Sequence, residues 1–227
     1  MCNAACLRFG RRALTPDDVA GRDVIEVGSR NVNGSLRGDL ERWGPGRYLG
    51  VDMVAGPGVD EVCDIGDLEA RYGAGRFDVV VSTEVLEHVR DWRGGISNLK
   101  RILKPGGVLL VTTRSNGFPY HGYPYDFWRY EADDIRTIFS DCSIEALEPD
   151  TVSPGIFVRA RKPAAFTERP LDDIALYSIV THRRCLDVTD AQVYRRRIRH
   201  RVRRLLAHIL PAAVLANIDR VVTREGA

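Results

Sequence analysis

Three carboxylates lie at or near the ends of predicted strands in the first third of the chain. Glu26 lies in the first strand (23–27), Asp52 closes the second, and Asp64 closes the third. The carboxyl ends of parallel strands meet at one edge of a sheet, so we expect these acids to line one crevice. A carboxylate at the end of the second strand can accept hydrogen bonds from both hydroxyls of a ribose. The spacing therefore predicts a site for a nucleotide-like molecule.

A short, flexible loop follows the first strand. Residues 24–35 read Val-Ile-Glu-Val-Gly-Ser-Arg-Asn-Val-Asn-Gly-Ser, so a buried strand runs into Gly28 and a helix is expected from Ser35. Gly28 and Gly34 allow a ligand to approach the main chain closely. The N–H groups at the start of a helix attract negative charge. We therefore expect the loop to pass beneath the charged part of the ligand.

The elements that must position these residues alternate along the chain. The predicted strands span 23–27, 47–52, 61–64, 77–83 and 108–113, and the predicted helices span 35–43, 91–104 and 131–141. Apolar strands alternating with helices are typical of a parallel sheet covered on both faces. Two further strands, 143–148 and 155–161, predict an antiparallel closing hairpin. We therefore predict a doubly wound, mostly parallel, seven-stranded Rossmann-like α/β sheet; the segment 174–181 stays open between a strand and an edge segment.

Length and composition fit one folded domain with an appended segment. The 227 residues are 44% hydrophobic and 28% charged, which excludes fibrous and disordered classes. No apolar run approaches the ~20 residues needed to cross a bilayer, and residues 1–10 lack the apolar centre of a signal peptide, so we expect a cytoplasmic protein. The expected divisions are an N-terminal segment at 1–20, a central domain at 21–163 and a C-terminal extension at 164–227.

The cysteines give no sign of a metal or redox site. None of them has the Cys-x-x-Cys spacing of such sites, which predicts reduced thiols and no metal. They are Cys2, Cys6, Cys63, Cys142 and Cys185.

The charge is unevenly distributed. Residues 1–182 contain 22 basic and 27 acidic side chains, whereas residues 183–227 contain 11 basic and 4 acidic ones. A helix predicted at 192–210 carries seven arginines between Arg195 and Arg204, and its apolar stripe is Ile198, Val202, Leu205, Leu206, Ile209 and Leu210. Such a helix suits an anionic membrane surface, and its stripe equally suits packing on the domain or on a second copy of the chain. RNA is disfavoured as a partner, because Tyr194 is the only aromatic residue of this helix that could stack on bases. The segment 192–222 is the candidate for these contacts.

Five short motifs occur in the order and spacing of a known family. They are Glu-Val-Gly-Ser at 26–29, Gly-Val-Asp-Met at 50–53, Gly-Pro-Gly-Val-Asp at 56–60, Phe-Asp-Val-Val-Val-Ser-Thr-Glu-Val-Leu-Glu-His-Val at 77–89 and Leu-Lys-Pro-Gly-Gly at 103–107. Over residues 20–162 the chain resembles the class I S-adenosylmethionine-dependent methyltransferases. The resemblance implies that the domain at 21–163 binds S-adenosylmethionine and transfers its methyl group to an acceptor.

The resemblance also implies roles for the motif residues. Asp52 would hold the ribose hydroxyls, Met53 would pack on the adenine, and Asp64 would approach the adenine amino group with Ile65 beside it. The residues implied near the methionine portion are Glu26, Gly28, Ser82, Thr83, Glu84 and His88.

The first loop departs from the family pattern. Ser29, Arg30 and Asn31 complete the set of expected cofactor residues, but the family's usual second glycine is here Arg30. The loop therefore lacks one position with the conformational freedom of glycine. Arg30 is expected either to pair with the carboxylate of the cofactor or to point into solvent.

An aromatic loop, residues 114–130, follows the fifth strand over the same crevice and is expected to enclose an acceptor. Methyl transfer from a sulfonium is an in-line displacement, so alignment and exclusion of water lower its barrier. A hydroxyl acceptor needs a base with a pKa near neutrality, which makes His121 the first candidate and His88 the second. The side chains expected to orient them are Tyr123, Tyr125 and Asp126.

We therefore predict O-methylation of a small molecule, such as a saccharide or a secondary metabolite. Two alternatives stay open: a methyltransferase acting on RNA or on a membrane-associated acceptor, and a non-catalytic scaffold that binds S-adenosylmethionine. A nicotinamide-dependent dehydrogenase is disfavoured, because the complete Gly-x-Gly-x-x-Gly motif is missing and the chain closes with an antiparallel hairpin.

Overall fold

The computed structural model describes residues 3–122 and 125–206, apart from the side chain of Arg204. Its strands are β1 (Asp23–Val27), β2 (Arg47–Asp52), β3 (Glu61–Val62), β4 (Phe77–Thr83), β5 (Leu103–Arg114), β6 (Trp128–Arg129), β7 (Ser143–Pro149), β8 (Gly155–Arg161), β9 (Leu176–Ser178) and β10 (Arg183–Cys185). Its helices are α1 (Ala4–Ala13), α2 (Pro16–Val19), α3 (Arg37–Glu41), α4 (Leu68–Tyr72), α5 (Trp92–Ile102), α6 (Ala132–Ile138) and α7 (Asp190–Leu206), with 3₁₀ turns at Ile65–Asp67 and Leu86–His88.

The main sheet has seven strands in the order β3-β2-β1-β4-β5-β8-β7. Strands β1 to β5 are parallel, whereas β8 pairs antiparallel with both β5 and β7. The predicted doubly wound sheet and its closing hairpin are therefore confirmed. The strand order reverses between β1 and β4, so the loops that leave their carboxyl ends diverge and form a crevice.

Several predicted boundaries move in the structure. The helix expected at 35–43 is shortened to α3, because the hydroxyl of Ser35 accepts from the N–H of Arg37. The third strand stops before Asp64, whose side chain accepts from the N–H of Gly66 and starts a 3₁₀ turn. The helix expected at 91–104 ends at Ile102, since the chain pairs with β4 from Leu103 onward.

Both faces of the main sheet are buried. Successive side chains of β4 point to opposite faces, so Val80 joins Trp92 of α5 in one core, while Val79 and Val81 join Phe9 of α1 in the other. The parallel strands read as continuous apolar runs because both of their faces are covered.

The chain on either side of the central domain also packs against it. The expected N-terminal segment 1–20 contains α1 and α2, neither of which the sequence analysis predicts. The open segment 174–181 contains β9, the central strand of a small antiparallel sheet in the order β10-β9-β6. Because β6 lies at the end of the aromatic loop, this sheet anchors the loop.

The basic helix is present as α7 over Asp190–Leu206. Residues 207–222 of the predicted contact segment lie outside the described residues, as does Cys2, and the other four cysteines form no disulfide within the described part of the chain. Among the helices of the described chain, none is both long and apolar enough to cross a bilayer.

Candidate functional site

The first loop turns sharply at Gly28. Its φ is +81°, and the N–H groups of Gly28 and Ser29 both donate to the carbonyl of Val51, at 2.8 and 3.0 Å. A Cβ at Gly28 would lie 2.1 Å from Cγ2 of Val85, so no other residue fits without displacement. The first loop is therefore held between β2 and the segment that follows β4.

The rest of this loop is fixed against the loop that follows β2. The N–H of Asn31 donates to the carbonyl of Pro57 at 2.8 Å, and the side-chain oxygen of Asn31 accepts from Gly34 at 3.0 Å. The half-buried Arg30 lies against Gly56, where a Cβ would come within 2.9 Å of the Arg30 Nε. Arg30 thus packs on the neighbouring loop, a position that the sequence analysis did not consider.

Glu26 is buried beneath this loop. Its carboxylate accepts from the Tyr48 hydroxyl at 2.6 Å and from the Ser35 hydroxyl at 3.3 Å. Burial raises the pKa of Glu26 to about 7 despite these two hydrogen bonds. Burial and the neighbouring carboxylate also raise the pKa of Tyr48. Glu26 of β1 therefore links this strand by hydrogen bonds to Tyr48 of β2 and to Ser35, just before α3.

Two of the residues expected at the adenine, Met53 and Asp64, line an open cleft. Asp52 accepts from the N–H groups of Val54 at 2.9 Å and Arg30 at 3.4 Å, and the Met53 side chain is 58% exposed. Ile65 is buried in the core, so it contributes little surface. The cleft, of about 610 Å³, is lined by Met53, Val62, Cys63, Asp64, Asp67, Ala70 and Arg71. Exposed apolar atoms beside carboxylates suit a flat ring with amino and hydroxyl groups.

Two buried hydroxyls mark the switch point of the sheet. Ser29 lies just beyond the end of β1, and Ser82, near the end of β4, is the direct partner of Val27 across those strands. Neither hydroxyl has a hydrogen-bond partner among the described residues, and both are buried. A buried hydroxyl without a partner is costly. A polar ligand seated over Gly28 would satisfy both groups, so the residues fit a cofactor at this point.

Glu84 follows β4 directly, on the side of the site where the acceptor is expected. It has a φ of +59°, which is rare outside glycine, and its N–H donates to the carbonyl of Thr112. Its buried carboxylate forms an ion pair with Arg114, which also pairs with Asp150 at 3.2 Å. Glu84 and the neighbouring Thr83 are both buried. The Glu84 carboxylate is therefore paired with Arg114 inside the protein, whereas the resemblance implied that Glu84 lies near the methionine portion of the cofactor.

Glu87 lies one 3₁₀ turn further on and is fully buried. Its Oε2 accepts from the Thr113 hydroxyl at 2.8 Å, and its Oε1 lies 3.9 Å from His88 Nε2 and 3.8 Å from His121 Nε2. Burial opposes ionisation, but His121 and His88 outweigh it and lower the pKa of Glu87 to about 2. We call these three residues the Glu87 cluster.

His121 is held by a buried ion pair. The backbone nitrogen and the ring Nδ1 of His121 both lie 2.9 Å from Oδ2 of Asp126. The other oxygen of that carboxylate, Oδ1, accepts from Arg129 at 2.6 Å. Burial would lower the pKa of His121, but Asp126 and Glu87 raise it to about 9. Arg129 and His121 in turn outweigh the effect of burial and lower the pKa of Asp126. His121 therefore carries a proton at neutral pH, whereas the sequence analysis expected a base with a pKa near neutrality.

His88 is oriented by the backbone. Its Nδ1 lies 2.5 Å from the carbonyl oxygen of Tyr125, and its ring contacts the ring of His121 at 4.7 Å between centroids. The Tyr125 side chain contacts neither histidine; it stacks on Phe127 and lies under Arg197 of α7. Of the side chains expected to orient the histidines, Asp126 therefore does so, Tyr125 does so only through its carbonyl, and Tyr123 lies outside the described residues.

Comparison with known proteins decides the family. The sequence model of the methyltransferase-domain family matches residues 3–148, more than half of the chain. The chain belongs to that family. The methyltransferase domain is 32% identical over 123 residues to a ubiquinone biosynthesis O-methyltransferase of Methylobacterium sp. (strain 4-46), a match that covers 49% of this chain and 48% of the relative. A probable S-adenosylmethionine-dependent methyltransferase of Mycolicibacterium smegmatis is 33% identical over 103 residues, covering 41% of this chain and 38% of the relative. The chain thus spans about half the length, or less, of these relatives.

Solved structures share the fold of the methyltransferase domain. An S-adenosylmethionine-dependent methyltransferase from Mesorhizobium loti superposes with a TM-score of 0.57 at 18% identity, covering 70% of this chain and 99% of that one. The 1,6-didemethyltoxoflavin-N1-methyltransferase of Burkholderia thailandensis, with S-adenosylhomocysteine bound, also gives 0.57, at 16% identity and with 70% and 79% covered. The methyltransferase domain is therefore of class I, and its cofactor is S-adenosylmethionine.

Sequence reasoning missed three charged residues that build the acceptor side of the methyltransferase domain. Glu87 occurs in the quoted motif but received no role, and the buried Arg114 and Arg129 were taken as parts of a loop. The spacing of Asp126 and Arg129, three residues apart in an otherwise aromatic segment, was the available signal for a buried pair. No local pattern announces the pairing of Arg114 with Glu84, because thirty residues separate them.

Proposed function

We propose that this domain transfers the methyl group of S-adenosylmethionine to an oxygen atom of a small-molecule acceptor. The observation that carries the proposal is the Glu87 cluster, in which a buried carboxylate and two imidazoles face one point beside the end of β4. With its Nδ1 held by the carbonyl of Tyr125, His88 offers Nε2 to the proton of a bound hydroxyl, which is the role of a general base. The relatives named for O-methylation in ubiquinone biosynthesis support the same choice.

In the proposed reaction, a lone pair of the acceptor oxygen forms a bond to the methyl carbon. The bond from that carbon to sulfur breaks, its electron pair stays on sulfur, and the sulfonium becomes a neutral thioether. The proton of the acceptor hydroxyl must leave, and the Glu87 cluster is the group that we propose to assist its departure. The rings of the aromatic loop would exclude water while the two reacting atoms align.

The cofactor side is tested by calorimetry with S-adenosylmethionine. Asp52→Ala removes the carboxylate proposed to hold the ribose and should weaken binding about tenfold to a hundredfold, since hydrogen bonds to a charged group contribute roughly 1.5–3 kcal/mol. The exposed Asp172 offers a matched control, and Asp172→Ala should leave binding unchanged. Absence of heat with the wild-type protein, or equal binding by both variants, would contradict the cofactor assignment.

The acceptor side is tested by following S-adenosylhomocysteine formation with a panel of phenols, sugars and amines. The proposal expects turnover with at least one hydroxyl acceptor, and loss of that turnover in His88→Gln while the affinity for S-adenosylmethionine is kept. Turnover restricted to amines or to RNA would contradict it. Cofactor binding without turnover on any acceptor would favour the non-catalytic scaffold.

We further propose that α7 binds an anionic membrane surface. Its apolar residues Tyr194, Ile198, Val202 and Leu205 are exposed, while Arg196 and Arg197 lie over Tyr120 and Tyr125 of the aromatic loop. The exposure of Ile198, Val202 and Leu205 supports a contact beyond the domain rather than packing of this part of the stripe on it. Exposed apolar side chains among arginines match the composition of interfacial helices. In this proposal the enzyme is cytoplasmic and contacts the membrane only at its surface.

Flotation with phosphatidylglycerol-containing vesicles tests the membrane contact. The wild-type protein should float with anionic vesicles and not with phosphatidylcholine alone, and Ile198→Asp with Val202→Asp should abolish flotation. Val152, an exposed apolar residue in the hairpin loop between β7 and β8, gives the control Val152→Asp. A stable dimer in solution that the α7 variants dissociate, with no flotation, would replace the membrane by a second copy of the chain.

A further inference from the structure

The Glu87 cluster brings three ligand-type atoms to a common point. Oε1 of Glu87 lies 3.9 Å from Nε2 of His88 and 3.8 Å from Nε2 of His121, and the three residues offer ligand atoms within 4.8 Å of one another. Ligands around a tetrahedral zinc ion lie roughly 3.3–3.4 Å apart, given metal–ligand distances of about 2.0–2.1 Å. To close the three groups around one cation, the two distances to Glu87 would have to shorten by about 0.5 Å and the longest separation in the cluster by up to about 1.4 Å.

The other atoms of these side chains are already engaged. Nδ1 of His88 faces the carbonyl of Tyr125, which can only accept, so in the neutral ring Nδ1 carries the proton and Nε2 keeps its lone pair. Nδ1 of His121 faces the Asp126 carboxylate in the same way. Carboxylates and carbonyls that accept from the far nitrogen of a histidine are the usual supports of metal-binding imidazoles. Both rings therefore present the nitrogen that a metal would take.

The atoms that face the centre of the cluster are also the ones without hydrogen bonds. Oε1 of Glu87 and Nε2 of His121 are buried and have no hydrogen-bond partner among the described residues, while Oε2 of Glu87 is satisfied by Thr113. A cation at the centre would satisfy both. Glu84, one turn earlier, supplies no ligand, because its carboxylate pairs with Arg114.

We propose that Glu87, His88 and His121 bind one divalent transition-metal ion, such as Zn²⁺. Two imidazoles and one carboxylate suit zinc, iron or manganese better than Mg²⁺ or Ca²⁺, which prefer oxygen ligands. Because zinc takes four ligands and the cluster supplies three, one position stays open to the acceptor. The sequence analysis predicts no metal from the cysteines, and this site uses none of them.

The role of the ion rests on the proposed O-methylation. An acceptor hydroxyl bound at the open position would lose its proton to solvent more readily, since a bound cation stabilises the resulting oxyanion. The oxygen would then attack the methyl carbon of the sulfonium while the bond from carbon to sulfur breaks onto sulfur.

Titration of the full chain with Zn²⁺ tests the site without any acceptor. Calorimetry should show one ion per chain, and His88→Gln or His121→Gln should each weaken binding at least tenfold, with Mg²⁺ binding more weakly than Zn²⁺. His200 contacts Tyr120 of the same aromatic loop, so His200→Gln serves as the matched control and should bind normally. A far-ultraviolet circular dichroism spectrum like that of the wild type would show that each variant keeps the fold.

The visible absorption of the Co²⁺-loaded protein provides a second readout, because nitrogen and oxygen ligands give no thiolate-to-metal band. Three outcomes would overturn the site. They are the absence of saturable binding by the wild type, a thiolate band in the spectrum, and binding by the double variant His88→Gln/His121→Gln that equals binding by the wild type. Zinc binding as expected with methylation confined to amines would keep the site and refute the O-methylation. Full turnover of O-methylation after exhaustive chelation would remove the ion from the reaction.

Discussion

The loops after β1 and β2 and the loop after β5 lie at the same edge of the sheet, yet they are stabilised in different ways. The cofactor loops are held by backbone contacts, such as those of Gly28 with Val51 and Asn31 with Pro57. The aromatic loop is held by buried charges, among them the pair of Asp126 and Arg129. Backbone contacts of the first kind tolerate almost any side chain that avoids a clash, whereas a buried ion pair depends on both partners.

This contrast matches the tasks of the two regions. A cofactor of fixed shape can be met by main-chain geometry, and glycines let the loops approach one another closely. In the proposed O-methylation, the acceptor side handles a proton and a nucleophile, which requires titratable groups whose charges are set by their neighbours. The largest effects of mutation are therefore expected where one member of a buried pair is removed.

Asp126→Asn should have the largest effect on stability. The change leaves Arg129 fully buried without its counterion, and breaking a buried pair in this way costs about 3–5 kcal/mol. The exposed pair of Arg90 and Asp190 provides the control, because Asp190→Asn should cost less than about 1 kcal/mol. Urea unfolding of the two variants measures the difference. Equal costs would mean that the aromatic loop does not depend on its buried charges.

Glu26 should give the cofactor side a pH dependence of its own. Its folded pKa, about 7, lies above the usual value of 4.5, so its contribution to stability is complete below pH 4.5 and is lost as the pH rises through 7. The loss should reach about 3 kcal/mol. Glu26→Gln mimics the protonated form and should not show it.

The measurement is the difference in the free energy of unfolding between wild type and Glu26→Gln at pH 4.5 and pH 8. As the pH rises, the free energy of unfolding of the wild type should fall relative to that of Glu26→Gln. A constant difference would mean that the folded pKa of Glu26 stays near its usual value of 4.5, and the cofactor side would then contain a buried charge as the acceptor side does.

The sequence predicts the strands of the cofactor side well, because the signals for them are local. Each strand end, and the glycine that follows β1, can be read from neighbouring residues, and the confirmed order of β1, β2, β4 and β5 brings them to one edge. The adjustments to that side are small: Arg30 turns to Gly56, and Ile65 is buried in the core.

The acceptor side escaped the sequence because its partners are far apart in the chain. Glu87 meets His121 across a loop, and the pairing of β6 with β9 anchors that loop through residues some fifty positions further on. Periodicity reports which face of an element is buried, but it does not report which charged groups meet there. For the same reason the sequence names His121 as a candidate base but cannot anticipate that two carboxylates raise its pKa.

A smaller effect tests whether the turn at Gly28 is held by shape alone. Gly28 and Gly106 both have φ near +80°, but a Cβ at Gly28 would meet Val85 at 2.1 Å, whereas a Cβ at Gly106 would meet nothing within 4 Å. Gly28→Ala should therefore cost about 2 kcal/mol more than Gly106→Ala, the usual size of overpacking. It should also weaken S-adenosylmethionine binding, whereas Gly106→Ala should not. Similar unfolding and binding for the two variants would mean that the loop relaxes around the added methyl group.

The smallest effect concerns the contact between α7 and the aromatic loop. The Arg197 guanidinium lies 5.0 Å from the centre of the Tyr125 ring and donates to its hydroxyl at 3.4 Å, a cation–π contact at an exposed position that contributes about 0.5–1 kcal/mol. Arg197→Gln should raise the KM for the acceptor about twofold to fivefold, because the loop whose carbonyl orients His88 would be held less firmly. The Kd for S-adenosylmethionine should not change, since Arg197 acts on the aromatic loop through Tyr125. Arg195→Gln, on the exposed side of the same helix, is the matched control. A parallel rise in the Kd for S-adenosylmethionine would show that the two sides of the site are coupled, and the distinction between them would have to be abandoned.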